Sequence, residues 1–114
     1  MKFAKETRKE KQIAKGAWVY EYGIGLEDIG LAVAKLNGRV PDEGRMVNKK
    51  CEEVFYVLKG RAWFCLGDDV FEVEESDVVH VPAGKAFHYV VSGMEVVIPT
   101  SPAFYPEQWS LVSE

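Results

Sequence analysis

Histidine is scarce in this chain, with only His80 and His88 among 114 residues. Chemistry that needs a cluster of imidazoles would have to draw on those two. Cysteine is equally sparse: Cys51 and Cys65 are too few for a disulfide framework, which fits a reducing compartment. No apolar run approaches the roughly eighteen residues of a membrane span, and the opening segment has no apolar stretch ending at a cleavage site. Neither a membrane partner nor a secretory leader is expected, and a cytoplasmic location follows by default. Helical patterning is also missing. Ala4 to Ala14 is charged nearly throughout and reads as a frayed helix or an extended arm. Basic charge is in deficit, 14 Lys and Arg against 18 Asp and Glu for a net of −4. That balance argues against nucleic acid as a partner, since phosphate binding needs a basic face.

The length suits one domain, and a 47% hydrophobic composition is enough to close a single core. Charge is unevenly spread. Residues 1–15 carry six Lys or Arg and two Glu, so a basic arm precedes an acidic remainder. A solvated arm lying on the domain's own acidic surface is the expectation for it.

Short apolar alternations broken by turn residues recur along the rest of the chain. Ala17 to Tyr22, Gly30 to Leu36, Glu53 to Leu58, Arg61 to Leu66, Val70 to Val73, Asp77 to Val81, Phe87 to Val91 and Met94 to Ile98 read as strands. About eight short strands at this spacing predict an all-β barrel or sandwich. Lys59 and Gly60 read as a two-residue hairpin turn, with Ser92 and Gly93 turning a second pair. Alternation then sets Cys51, Glu53, Phe55, Val57, Ala62, Phe64 and Leu66 on one face and Val54, Tyr56, Trp63 and Cys65 on the other. The two thiols face apart, so no disulfide is expected. Glu52 and Glu53 are adjacent and diverge, so they cannot act as a carboxylate dyad.

The segment CEEVFYVLKG, Cys51 to Gly60, resembles the second half of the first cupin motif, which runs from an HxH pair through a glutamate to a glycine. Glu53 and Gly60 keep the motif's spacing. Counting back from Glu53, the two histidine places fall on Val47 and Lys49 or on Met46 and Asn48, and neither choice supplies an imidazole. The second motif, G, five residues, PxG, two residues, H, three residues, N, is echoed by Ser76, Pro82, Ala83, Gly84, His88 and Ser92, with one extra residue before His88. The likeness covers Gly38 to Ile98. It implies a single-domain cupin-type double-stranded β-helix, or jelly-roll barrel, over residues 16–98, between the arm of residues 1–15 and a tail of residues 99–114.

In cupins a divalent transition metal sits on three imidazoles and one carboxylate. Here the resemblance carries over Glu53 and His88, with Asn48, Cys51 or His80 as added donors. No required cofactor is expected, and a weakly bound divalent transition metal at Glu53 and His88 is the alternative. His80, in DVVHVP, is expected on the outer face of its sheet. Asn48, Glu53, Phe55, Phe64, Phe87 and His88 are the expected ligand pocket, and core packing is the plainer role for the phenylalanines. The tail PTSPAFYPEQW is expected to wrap the barrel, closing its mouth or covering a subunit interface, because proline lacks the ladder donor of a central strand. It is similar to the tails of small cupins grouped as sugar-isomerase-like. The resemblance implies a small-molecule binder for a carbohydrate or small organic acid, acting as a homodimer. The alternative is an enzyme, a sugar isomerase, epimerase or oxygenase, with His88 as base and Tyr56 or Tyr89 as acid.

Overall fold

The computed structural model describes residues 1–113, and it is all-β. Nine strands run β1 (Lys9–Ala14), β2 (Ala17–Tyr22), β3 (Gly30–Val40), β4 (Arg45–Asn48), β5 (Glu52–Leu66), β6 (Asp69–Val73), β7 (Val78–Val81), β8 (Phe87–Ser101) and β9 (Trp109–Val112). The only helical elements among the described residues are two 3-10 turns, Lys5–Thr7 and Pro106–Gln108. None of this is long and apolar enough to cross a membrane as a helix. The strands form one curled sheet in the order β1-β2-β3-β8-β4-β9, and β5 joins along β8 while carrying β6 and β7 on its other pairings. Every recorded pairing is antiparallel.

The expected hairpin at Lys59 and Gly60 does not form. Instead β5 continues through Gly60 for 15 residues, pairing with β8, which is equally long. The register shifts between Val57 and Lys59, where β5 carries an extra residue, and again between Lys59 and Arg61, where β8 does, so both strands are irregular around Gly60. Gly60 has φ 92° and lies so close to β8 that a Cβ there would sit 2.4 Å from the Gly93 carbonyl oxygen. Gly93, with φ 54°, bends β8 at the same level. Ser92 and Gly93 therefore turn no hairpin either.

Sidedness nevertheless follows the expected pattern. Phe55, Val57, Ala62, Phe64 and Leu66 are buried, while Tyr56, Leu58 and Trp63 are exposed. Inward aromatics form the densest part of the core. Phe55 meets Phe64 and Tyr89 edge-on at 5.4 and 5.7 Å between ring centres, and Phe64 stacks on Tyr89 at 4.8 Å. Such contacts add roughly 0.5–1.5 kcal/mol each beyond the burial of the rings.

Both termini join the sheet. The arm contributes β1, paired to β2 from Lys9↔Glu21 to Ala14↔Ala17, so most of it is sheet. Pro99 lies within β8 opposite Leu31, and the ladder to β5 is interrupted there, between Thr100 and Val97. A central strand accepts this proline because its missing donor falls at that gap. Beyond it the tail returns to pair β9 with β4, from Arg45↔Val112 to Asn48↔Trp109.

Candidate ligand cavity

Strand alternation and the tail together build an open cavity of about 980 Å³. Its base comes from Met46 on β4, Glu53 and Phe55 on β5, and Phe87, Tyr89, Ile98 and Thr100 on β8. The arm, through Lys9, Lys11 and Ile13, and the tail, through Ala103, Phe104, Pro106 and Trp109, supply the upper walls. Phe55 and Phe87 therefore wall the space without plugging it.

Glu53 is the one acidic group on that base. Enclosure by the barrel pushes its carboxyl up to about 7, opposed by a hydrogen bond from Asn48 Nδ2 to Glu53 Oε1 at 3.2 Å. Asn48 is buried, and its other end is also occupied: Oδ1 accepts a bond from Gln108 Nε2 at 2.9 Å. Gln108 is held in turn, its Oε1 accepting the backbone N–H groups of Lys50 at 3.2 Å and Cys51 at 3.0 Å. Tyr89 is fully enclosed, and burial, then the Glu53 charge, drives its phenol far above its ordinary range. It stays a neutral hydroxyl at any ordinary pH.

The inward residues decide between the two alignments of the first motif. Met46 and Asn48 are buried, Val47 is half-buried and Lys49 is exposed, so the histidine places correspond to Met46 and Asn48. The second motif resolves in the same way. Two residues after Gly84 the next position is Phe87, which is buried and lines the cavity. His88 follows it on the opposite face of β8, paired across to Cys65, and is not inward beside Glu53. This corrects the expectation of an extra loop residue: Phe87 stands in the histidine's place.

The other candidates separate clearly. Tyr56 points outward with 40% exposure, opposite Val78. His80 is exposed, its Nε2 at 2.6 Å from Glu52 Oε1, while Glu52 Oε2 accepts the Ala83 N–H at 2.7 Å. Those two bonds hold the Glu52 carboxyl below its ordinary range. Phe64 packs behind the cavity against Phe71 and Tyr89. Cys51 is buried, with Sγ 3.4 Å from the Pro102 carbonyl oxygen. Burial, reinforced by the Glu53 charge, raises its thiol. Both cysteines are free.

The four inward places where the family carries three imidazoles and a carboxylate thus hold a thioether, a carboxamide, a carboxylate and a phenyl ring. The carboxamide oxygen already accepts Gln108, leaving Glu53 as the single charged donor. These residues do not fit a transition metal. No group of three or more His, Cys, Asp or Glu converges among the described residues. Asn48, Glu53, Phe55, Phe87 and Tyr89 are brought together, whereas His88, His80 and Tyr56 are not. Sequence reasoning missed Gln108 as a site residue: it stands between Glu107 and Trp109, and nothing in that local pattern marks it for burial.

Residues 40–98 match the cupin domain family. The chain is a cupin. Over 53 residues this cupin is 38% identical to an uncharacterized protein of Streptomyces coelicolor, covering 45% of this chain and 50% of that one. It therefore spans about half the length of the curated relative it matches. Among solved structures it is similar to Streptomyces Pac13 with uridine, with a TM-score of 0.86 at 21% identity over 99% of this chain and 90% of that one. Pac13 is described as a nucleoside dehydratase. Oxalate decarboxylase of Bacillus subtilis aligns with a TM-score of 0.81 at 17% identity, over 96% of this chain and 31% of that one. At such identities the likeness is one of fold.

Proposed function

We propose that this cupin binds a neutral, hydroxyl-bearing small molecule, a carbohydrate or a nucleoside, with Glu53 accepting hydrogen bonds from its hydroxyls. The observation that carries this reading is the cavity base itself: one carboxylate among aromatic and aliphatic walls. An organic acid would meet Glu53 there with no cation on the base to offset the repulsion. The bases lining the cavity, Lys2, Lys9 and Lys11, all belong to the arm, and Lys11 is already 2.7 Å from Glu21. Apolar walls suit the ring faces of a sugar or base, and a few placed polar groups set orientation. The likeness to a uridine-bound fold supports a nucleoside among the candidates.

A second reading is favoured by one observation, the rise of the Glu53 carboxyl to about 7. A group half-protonated near neutrality is suited to acid and base work, and Tyr89 beside it supplies a permanently neutral hydroxyl. Glu53 and Tyr89 then replace the pairing of His88 with Tyr56 or Tyr89 as the acid and base of an isomerase, epimerase or dehydratase. The homodimer expected through sheet edges and the aromatic tail belongs to the same proposal, and sedimentation velocity reads it directly.

Thermal shift of the protein against sugars, nucleosides including uridine, and carboxylic acids tests the binding reading. A ligand selective for the native state must raise its stability. A sugar or nucleoside is expected to raise Tm in the native protein and much less in Glu53→Gln. A response confined to carboxylic acids would overturn the assignment.

A further inference from the structure

We propose that Gln108 is a positioning residue of the cavity, fixing the direction of a buried amide relay so that Asn48 always presents an N–H to Glu53. This rests on Glu53 being the ligand-facing group. The direction is set by what the first partners are able to do. Backbone N–H groups only donate, so the Lys50 and Cys51 amides require the oxygen of Gln108 to face them, 3.2 and 3.0 Å away. Its NH2 must then face Asn48, whose oxygen accepts at 2.9 Å. That leaves the Asn48 NH2 toward Glu53, at 3.2 Å. The Gln108 carbonyl is clamped as well, accepting the Lys49 N–H at 2.7 Å. Gln108 is 2% exposed and Asn48 1%, so water cannot substitute for a lost bond at little cost. The same tail that carries Gln108 walls the cavity with Ala103, Phe104, Pro106 and Trp109. Seating of the tail and preparation of Glu53 as an acceptor are therefore one event.

Two variants test this without any ligand, which separates its failure from failure of the binding reading. Gln108→Met keeps length and bulk but lacks both amide functions. Gln108→Glu keeps the acceptor for Lys50 and Cys51 and lacks the donor for Asn48. Carboxyl-labelled glutamate followed by carbon NMR across pH reads Glu53, its resonance identified by its loss in Glu53→Gln. Other titratable groups around the carboxyl and its cavity are Tyr89 on β8, Cys51 beside β5, Lys2, Lys9 and Lys11 of the arm, and Glu21 and Tyr22 on β2, none of which either variant alters. Side-chain amide spectra read Asn48 in parallel. The expected result in both variants is a Glu53 midpoint raised by about one unit, a tenfold gain in proton affinity, with loss of the exchange-protected Asn48 NH2 signals. Gln108→Glu adds a negative charge that raises the midpoint in the same direction, and the uncharged Met variant isolates the orientation. A folded Gln108→Met with the native midpoint, or, where only Gln108→Glu folds, a midpoint no higher than native, would overturn the assignment.

Discussion

Met46 and Phe87 stand directly opposite each other across β4 and β8, and both line the cavity at places where the family's motifs carry histidine. With Asn48 and Glu53 they reproduce the layout of a metal centre in side chains that do not suit a transition metal. The carboxylate survives, and its neighbours have been exchanged for an amide that donates to it and for apolar walls. The consequence is a change of role for Glu53. A metal would keep it ionised and engaged as a ligand, whereas here it is a half-buried carboxyl that accepts one N–H and is otherwise turned to the cavity.

On that layout the metal site is recoverable. The variant Met46→His, Asn48→His, Phe87→His supplies three imidazoles converging on Glu53, and it is expected to retain about one equivalent of zinc or nickel after gel filtration. The native protein and the variant that adds histidines only at Val47 and Lys49 are expected to retain none. Elemental analysis of the purified proteins decides it; a folded triple variant without metal would mean that the four places do not converge.

The inward and outward faces of β5 were legible from sequence even though its topology was not. A two-residue hairpin and an extra β5 residue at Leu58 demand the same change of parity between Val57 and Ala62, so both leave Glu53, Phe55, Phe64 and Leu66 on one side. What differs is the partner, since alternation says which face a residue takes and nothing of which strand lies alongside. His88 failed for the same reason of parity: a single position separates the inward Phe87 from its outward neighbour, and only the backbone path after Gly84 tells them apart. Gln108 was out of reach for another reason. It acts on Glu53 through Asn48, 60 residues away in sequence, and no local pattern encodes such a contact. The tail's proline and aromatic content did indicate that it wraps the barrel, where Phe104, Pro106 and Trp109 now form cavity wall.

Glu53 should make stability depend on pH in a defined window. Its carboxyl titrates at about 7 in the folded protein against an ordinary value of 4.5, so the unfolded chain loses this proton first as pH rises. The contribution is fully present below about pH 4.5, declines as pH rises, and is gone above about pH 7, a change of roughly 3 kcal/mol. Glu53→Gln removes it. Urea unfolding of both proteins at several pH values gives the difference curve, in which other titrating groups cancel; a flat difference between pH 4.5 and 7 would contradict the buried carboxyl.

Backbone geometry gives a pair of substitutions of opposite sign. Ser76 stands where the second motif has glycine, and it holds φ 72°, a left-handed conformation that costs an ordinary residue about 1–2 kcal/mol. Its side chain is exposed, and the turn around it is held by other atoms: Ser76 N bonds the Val57 carbonyl at 2.9 Å and Glu74 N bonds Asp77 Oδ2 at 2.8 Å. Ser76→Gly removes the strain, loses no side-chain bond, and gives back part of the gain through the freer unfolded chain, for a net stabilisation of about 0.5–1 kcal/mol. Gly60→Ala meets the reverse situation. Its φ is 92°, and the new Cβ would lie 2.4 Å from the Gly93 carbonyl oxygen and 2.6 Å from Met94 Cα, both backbone atoms of the longest neighbouring strand. Neither can swing aside as a flexible side chain would, so β5 and β8 must separate where they bend, at a cost expected to exceed about 2 kcal/mol. Gly84→Ala serves as the control, since φ there is 83° but nothing lies within 4 Å of the added carbon, and the loss should be limited to the conformational cost of about 1 kcal/mol. Urea midpoints for the three variants should therefore rank Ser76→Gly above the native protein, Gly84→Ala modestly below it and Gly60→Ala lowest. Equal losses at Gly60 and Gly84 would show that the close approach of β5 to β8 contributes nothing beyond the backbone angle.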